Sequence, residues 1–190
     1  MAGRKFIFDP PDRFVAGSVG QPGQRTFFLQ ARKGSAVLSV ALEKVQVALL
    51  AERIGALIEE LGRRGIELPR ATSAGRPGAK ATAGTHPTET LEEPVVEAFR
   101  IGAMTLTYDD ARRDVTLEAR AQGEDEGPDE SDDDDDERHL LRVRMTLDEA
   151  RIFAQRAMEV VAAGRPPCPI CGEPLDPQGH ICLRRNGYVM

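Results

Sequence analysis

The first 42 residues alternate between short apolar runs and turn-forming residues. The runs are rich in phenylalanine and valine, and proline, glycine or a Lys33-Gly34 pair follows them. Antiparallel hairpins have this spacing. The pattern predicts four strands, over residues 5–9, 13–19, 24–32 and 35–42. Gly17, Gly20 and Gly23 are expected to form a hairpin turn and not a phosphate loop, because a strand and not a helix follows them.

The apolar period then changes from two to about 3.6. One stripe recurs at helical spacing: Val47, Leu50, Ile54, Leu57, Ile58 and Leu61. Polar residues such as Glu52 and Glu59 separate its members. The pattern predicts an amphipathic helix over about 43–64 that ends at Gly65.

The second half of the chain repeats this order. Strands are predicted over 98–108, 114–121 and 138–145. Thr146 and Glu149 then match a capping box, which predicts the start of a second helix. The apolar stripe of that helix contains Ala150, Phe153, Ala154, Ala157, Met158 and Val161. Gly164 and the following prolines are expected to end it.

Short sequence matches between the halves indicate a duplication. Residues 14–17 resemble residues 99–102, and residues 29–32 resemble residues 117–120. We therefore predict an α+β fold with an antiparallel sheet, built from a duplicated strand-strand-strand-helix unit with both helices packed on one face. The alternative is chance similarity between short amphipathic patterns.

Composition divides the chain into four expected parts. The first half covers 1–68, and the second covers 94–164. Residues 69–93 are rich in alanine, threonine, glycine and proline and are expected to be a linker. The tail, 165–190, is poor in large apolar side chains. With 41% apolar residues overall, the chain is not expected to be disordered as a whole.

The net charge of −6 hides a basic body. Eleven of the 31 acidic residues lie in 122–137, which leaves 20 acids against 25 bases elsewhere. That acidic segment is expected to be a solvated loop, or alternatively a polyanion that competes with an anionic partner. No apolar run approaches the length of a membrane span, and the first residues do not resemble a secretion signal. We therefore expect a cytoplasmic protein with no membrane contact.

The three cysteines lie in the last 23 residues and point to a metal site. Cys168 and Cys171 form a C-x2-C knuckle, and His180 with Cys182 follows after a short loop. Two thiolates at this spacing grip one tetrahedral ion, and alternate residues of an extended segment face the same way. The predicted set is Cys3His around one structural zinc per chain. Asp176 or a water molecule remains the alternative to His180.

Several basic and aromatic residues are weaker candidates for contact with a partner or an anion. Arg184, Arg185 and Tyr188 follow the knuckle, and the early strands carry Arg25, Arg32 and Lys33. Arg25 and Lys33 also flank Phe27 and Phe28, as in a nucleic-acid-binding sheet. The simpler interpretation is that the residues after the knuckle form a solvated tip and that at least one of the two phenylalanines belongs to the core. His139 adjoins the acidic segment and is expected to be exposed.

The chain resembles a family of uncharacterised actinobacterial proteins of about 190 residues. The resemblance rests on the KFIFDPP start, the FVAG strand with its GQPG turn, the EKVQ helix start and the CPICGEPLDPQGHIC tail. It supports the zinc knuckle and implies no reaction. Leu183 stands where that family often has proline, which leaves the four candidate ligands in place.

These features favour a non-enzymatic zinc-binding protein. We expect it to act as a binding or adaptor module for another protein or an anionic partner, because no nucleophile–base motif stands out. One alternative is a metal-dependent hydrolase or transferase that acts on a phosphorylated substrate, which requires an open zinc position or a polar pocket between the halves. A second is a nucleic-acid-binding protein gated by its acidic loop. The sequence leaves the oligomeric state open.

Overall fold

The computed structural model describes residues 3–21, 23–66, 90–123 and 138–163, together with Ile170. The elements are β1 (Lys5–Phe8), β2 (Arg13–Val19), β3 (Thr26–Lys33), β4 (Ala36–Leu42), α1 (Lys44–Arg63), β5 (Glu97–Asp109), β6 (Asp114–Ala121), β7 (Leu140–Thr146) and α2 (Leu147–Ala162). The predicted α+β class is confirmed. Within the described ranges, neither helix is long and apolar enough to cross a membrane.

The seven strands form one mixed sheet in the order β1-β7-β6-β5-β4-β3-β2. Pairing is antiparallel within β2-β3-β4 and within β5-β6-β7, but β4 pairs parallel with β5 and β1 pairs parallel with β7. The prediction of an antiparallel sheet is therefore wrong at these two junctions. In a set of three antiparallel strands, the first and the third strand run in the same direction. Both sets have the same orientation in the sheet, so the last strand of one set (β4) runs parallel to the first strand of the next (β5). The helix α1 and the chain after it supply the long crossover that a parallel pair requires.

The predicted glycine turn is confirmed at Gly20 and Gly23, which lie in the β2–β3 hairpin, but Gly17 belongs to β2, where it pairs with Phe28. Gly20 and Gly23 have φ values of 108° and 98°, which side-chain-bearing residues rarely adopt. A second hairpin joins β5 to β6. Ala31 pairs with Phe14 in the first, and Ala119 pairs with Met104 in the second. The strand register thus aligns Phe14 with Met104, and not with Phe99 as the sequence match suggested.

The sheet must curl, because a short link joins strands from its two ends. Only residues 9–12 separate β1 from β2. Five Cα steps span at most about 19 Å, whereas seven flat strands would place the end strands about 29 Å apart. The curl brings α2 against β2, where the rings of Phe14 and Phe153 stack with centroids 4.6 Å apart.

One face of the sheet and both helices enclose the core. Alternate strand residues face the helices, as the buried set Phe27, Leu29, Ala31, Leu38, Val40 and Leu42 illustrates. The predicted stripe of α1 is buried at Val47, Leu50, Ile54 and Leu61. On α2, Met158 is 41% exposed, so its placement on the buried stripe was wrong. The buried residues of the stripe are Ala150, Phe153, Ala154 and Ala157.

A bulge in β5 lets one strand pair with both halves. Its first residues pair with β4, its later residues pair with β6, and the register shifts between Ile101 and Ala103. Gly102 lies at this shift, where a Cβ atom would stand 2.8 Å from the Cα of Gln122. The close approach coincides with a hydrogen bond from the Gln122 N–H to the Arg100 carbonyl (2.8 Å).

We expect Gly102→Ala to lower the free energy of unfolding by about 1–3 kcal/mol, because the methyl group meets backbone that cannot move freely. Gly55→Ala is the matched control. Gly55 lies inside α1, and nothing stands within 4 Å of the place that its added methyl group would take. There alanine is expected to add about 0.5–1 kcal/mol. Urea denaturation measures both variants. Equal effects of the same sign would contradict the close-packing role of Gly102.

Candidate functional site

The seven predicted site residues of the C-terminal tail lie outside the described residues: Cys168, Cys171, His180, Cys182, Arg184, Arg185 and Tyr188. Within the described ranges, no group of three or more histidine, cysteine, aspartate or glutamate side chains is arranged to hold a metal ion. The zinc site therefore stays a prediction from the sequence.

Arg25 and Lys33, two of the predicted partner-binding residues, are engaged inside the fold. The Arg25 guanidinium donates to the carbonyl of Ala163, at the end of α2. A cation at this place satisfies a terminal carbonyl and complements the helix dipole. The Lys33 ammonium donates to the carbonyl of Asp9, in the β1–β2 link. Both side chains therefore hold chain segments in place.

The aromatic pair beside Arg25 does not form a surface for bases. Phe27 is 6% exposed and Phe28 is 7% exposed. Phe27 belongs to the core beneath the helices, and its neighbour faces the opposite side of the sheet, as alternation along a strand requires. Neither ring is available for base stacking.

His139 also departs from its prediction. Its ring lies beside Phe99 and Phe6, with centroid distances of 5.8 Å and 6.4 Å. Its Nδ1 accepts a hydrogen bond from the Arg4 backbone N–H at 2.9 Å. The histidine is half-buried in an aromatic cluster and not a freely exposed neighbour of the acidic segment.

Arg32, the third predicted residue of the early strands, lines a cleft between the two halves of the chain. We call it the arginine cleft. One wall comes from the β1–β2 link, β2 and β3, and the other comes from the end of β7 and from α2. The cavity has a volume of about 360 Å³. Its lining combines three arginines and two carboxylates with apolar side chains.

Three arginines line this cleft: Arg13, Arg32 and Arg156. The Arg32 Nε lies 3.3 Å from a Glu92 oxygen, but the contact is an ion pair without hydrogen-bond alignment. This Nε is buried and has no hydrogen-bond partner among the described residues. The Arg32 side chain as a whole is 40% exposed, so a ligand could reach its guanidinium without displacing the fold.

The two carboxylates of the arginine cleft are already in use. Asp12 accepts a hydrogen bond from the backbone N–H of Gly34 (2.7 Å). Glu149 accepts from the backbone N–H of Thr146 (2.8 Å), which confirms the predicted capping box. These bonds direct the two carboxylates toward backbone donors, while Glu92 pairs with Arg13 (3.5 Å) and with Arg32 (3.3 Å).

A buried amide fixes the position of Arg13. Gln30 is 1% exposed and lies on the sheet face away from the helices. Its Oε1 accepts from the Glu92 N–H (2.8 Å) and from Arg13 (3.1 Å), and its Nε2 donates to the Glu92 carbonyl and to Ser39 Oγ, both at 3.0 Å. Glu92 belongs to the end of the predicted 69–93 linker, and this part of it is bound to the sheet.

No signal in the sequence marked Arg13 and Arg156 as site residues. Arg13 begins a strand after a proline pair, and Arg156 lies on a helix beside its apolar stripe. Neither position carries a motif. Both line the arginine cleft because the curled sheet places β2 against α2, which requires the whole fold.

We expect Gln30→Leu to lower the free energy of unfolding by about 2 kcal/mol or more, because it removes the partner of the buried Ser39 hydroxyl and of the Glu92 backbone, together with one acceptor of Arg13. Gln24→Leu, the same change at an exposed turn position, is expected to alter it by less than about 0.5 kcal/mol. Urea denaturation compares the two. A Gln30 variant as stable as the Gln24 variant would show that the buried amide does not hold Glu92 to the sheet.

Comparison with known proteins agrees with the extent of this fold. No match to a curated protein or to a solved structure is found. Residues 6–182 match the family described as "Protein of unknown function (DUF3090)". The match includes every described helix and almost every strand residue, and it continues through the cysteine-rich tail to Cys182. The chain therefore belongs to the DUF3090 family.

Proposed function

We propose that this protein is a binding module that takes an oxyanion group of its partner into the arginine cleft. The observation that carries the proposal is that Arg13, Arg32 and Arg156 all line one concave site, where the Arg32 Nε is paired with Glu92 at 3.3 Å but makes no aligned hydrogen bond among the described residues. Guanidinium groups offer paired donors that match phosphate and carboxylate oxygens. A phosphoryl group carries more charge than a carboxylate and is the stronger fit for this arginine-lined site.

The apolar side of the cleft strengthens this chemistry. Phe14, Ile152 and Phe153 form its lining together with the arginines. Such walls exclude water, and charge interactions gain strength where water is excluded. The side chain of Arg13 is only 15% exposed, so it is already partly desolvated and held by Gln30 before a ligand arrives. A preformed site of this kind loses little conformational freedom on binding.

The bonding of Asp12 and Glu149 favours binding over catalysis. A hydrolase or transferase needs a carboxylate or another base directed at its substrate. Both cleft carboxylates instead accept backbone N–H groups. An enzyme that acts on a phosphorylated substrate is the second candidate, because the arginine cleft is a polar pocket between the halves. Metal-dependent turnover of a phosphoester by the purified protein would favour that candidate.

The tail is proposed to carry one structural zinc ion. Cys168, Cys171 and Cys182 supply soft ligands at zinc-knuckle spacing, with His180 as the fourth ligand and Asp176 or water as its alternatives. A segment with few large apolar side chains gains its order from metal binding, since metal affinity becomes folding free energy. The adaptor role proposed for the protein combines this knuckle with the arginine cleft.

A duplicated origin of the halves is also part of the proposal. Four positions of the two helices match when they are counted from the N-caps Glu43 and Thr146. The third, sixth, seventh and tenth residues are Gln46, Leu49, Leu50 and Arg53 in α1, and Glu149, Ile152, Phe153 and Arg156 in α2. In α2 these residues line the arginine cleft, and in α1 they line a second cleft. Each helix contacts the first strand of the other half, α1 with β5 and α2 with β2. This exchanged packing supports two related units.

We expect inorganic pyrophosphate to bind at low ionic strength and to weaken as salt rises. Arg32→Gln and Arg156→Gln should each reduce affinity by roughly tenfold, because each removes a charged donor. Isothermal calorimetry measures the affinity. Arg112→Gln, at an exposed hairpin turn, is the control and should bind like the parent protein. The proposal fails if pyrophosphate does not bind or if all three variants bind equally.

We expect protein purified without an affinity tag to contain one zinc ion per chain. Cys171→Ser should remove most of the bound zinc, because a hydroxyl group is a poor zinc ligand and only three of the four proposed ligands would remain. His86→Ala, a change outside the ligand set, should retain it. Elemental analysis and native mass spectrometry give the stoichiometry. Protein that stays free of metal in zinc-supplemented growth, or that keeps its zinc after Cys171→Ser, contradicts the assignment.

A further inference from the structure

A second cleft lies between α1 and the β5–β6 hairpin and has different chemistry. Its volume is about 450 Å³, within the range of pockets for small ligands. We call it the apolar cleft. Its lining is mostly aliphatic or thioether: Leu49, Leu50, Leu57, Met104, Leu106 and Leu117.

The helical walls of the two clefts correspond, but their charges differ. Gln46 in α1 stands where α2 has Glu149, and Leu50 stands where α2 has Phe153. Arg53 occupies the place of Arg156. The apolar cleft thus keeps one arginine of the three. Of the described residues that line it, Arg53 alone is charged.

Arg53 has no ion-pair partner among the described residues. The other arginines of α1 differ in this respect, since Arg63 and Arg64 pair with Glu60 at 2.9 Å and 3.0 Å. Arg53 follows Gln46 by seven residues, which places it about 10 Å along the helix from the cleft end. Leu57 lies one turn farther. Arg53, an exposed residue, therefore lies between Gln46 and Leu57 along the helical wall of the apolar cleft.

The Gln46 amide closes one end of the apolar cleft and is fully occupied. Its Nε2 donates toward the carbonyls of Ile101 (3.3 Å) and Gly102 (3.4 Å). Its Oε1 accepts from the Glu43 N–H at 2.8 Å. The amide fastens α1 to the bulge of β5, so the charge of Arg53 is the feature that a polar ligand group meets.

We infer that the apolar cleft binds an amphipathic small molecule with an aliphatic body and a single anionic head group. The aliphatic body would lie on Leu49, Leu57 and Met104, and the head group would pair with Arg53. Burial of aliphatic surface supplies most of the affinity, and the guanidinium selects the charge of the head group. Leu49, which is 46% exposed, lies at the lip where such a ligand would cover it. The site is separate from the arginine cleft and does not depend on it.

The test compares probes that share one chain but differ in head group. Decanoate and decyltrimethylammonium are titrated below their micelle concentrations, and decanol is titrated below its solubility limit. The full-length protein is used, and amide NMR shifts are recorded. We expect decanoate to bind best and to shift amides of α1 and β5. Arg53→Gln should reduce the affinity for decanoate by about tenfold and change the affinity for decanol by no more than about twofold. Arg63→Gln, on the same helix but outside the cleft, is the matched control.

A second variant separates ligand binding from self-association. Leu49→Ser should weaken the binding of decanoate and of decanol equally, because the alkyl chains of both probes lose the same apolar contact. The inference is overturned if decanoate and decanol bind equally, if Arg53→Gln has no effect, or if the shifts map elsewhere. The inference is also overturned if the protein self-associates and Leu49→Ser abolishes the self-association. The surface around the apolar cleft would then be an interface between copies of the chain. Pyrophosphate binding is measured separately, so failure at one cleft is distinguishable from failure at the other.

Discussion

The four-residue link between β1 and β2 is the constraint on which the rest of the structure depends. It joins the strands at the two ends of the sheet order, so the sheet cannot remain open and flat. The ends approach each other, and α2 packs against β2 through the Phe14–Phe153 stack. Pro11 and Asp12 of the link then become part of the wall of the arginine cleft. A single short connection thus determines both the curvature and the position of the polar site.

Exchanged helix packing gives the protein two clefts with related walls. Each helix covers the core and also lies against the first strand of the other half. The chemistry of the two clefts diverges through a few side chains. Arg13 and Arg32 come from the strands of one cleft, whereas Met104 and Leu117 come from those of the other. Corresponding helix positions therefore stand beside arginine-bearing strands at one junction and beside aliphatic side chains at the other.

The buried Gln30 side-chain amide makes the two hydrogen bonds to Glu92 that the backbone of a neighbouring strand would otherwise make. Its oxygen and nitrogen bond to the N–H and carbonyl of Glu92, as a neighbouring backbone peptide group would. The segment before β5 is thereby attached to the outer face of β3 without a further ladder. The same amide oxygen accepts from Arg13, and Glu92 pairs with Arg32. Satisfied buried polar groups of this kind specify one arrangement, because any other leaves them unpaired.

Local patterns in the sequence determined the elements. The hairpin strands, both amphipathic helices and the Thr146 capping box depend on neighbours within a few residues, and their predicted bounds lie close to the observed ones. The C-x2-C spacing of the tail is equally local, and the zinc prediction depends on the sequence alone. The α+β class follows from these elements because amphipathic strands and helices must cover one another's apolar faces.

Only the tertiary structure decided strand direction at the junctions, the burial of His139 and the composition of the clefts. The parallel pairing of β4 with β5 depends on which edges meet, and edge choice is set by the curl and the crossover. Arg13 and Arg156 lie 143 positions apart in the chain and face one cleft only after β2 meets α2. Periodicity specifies which face of an element is apolar, but it carries no information about which distant polar residue stands beside that face.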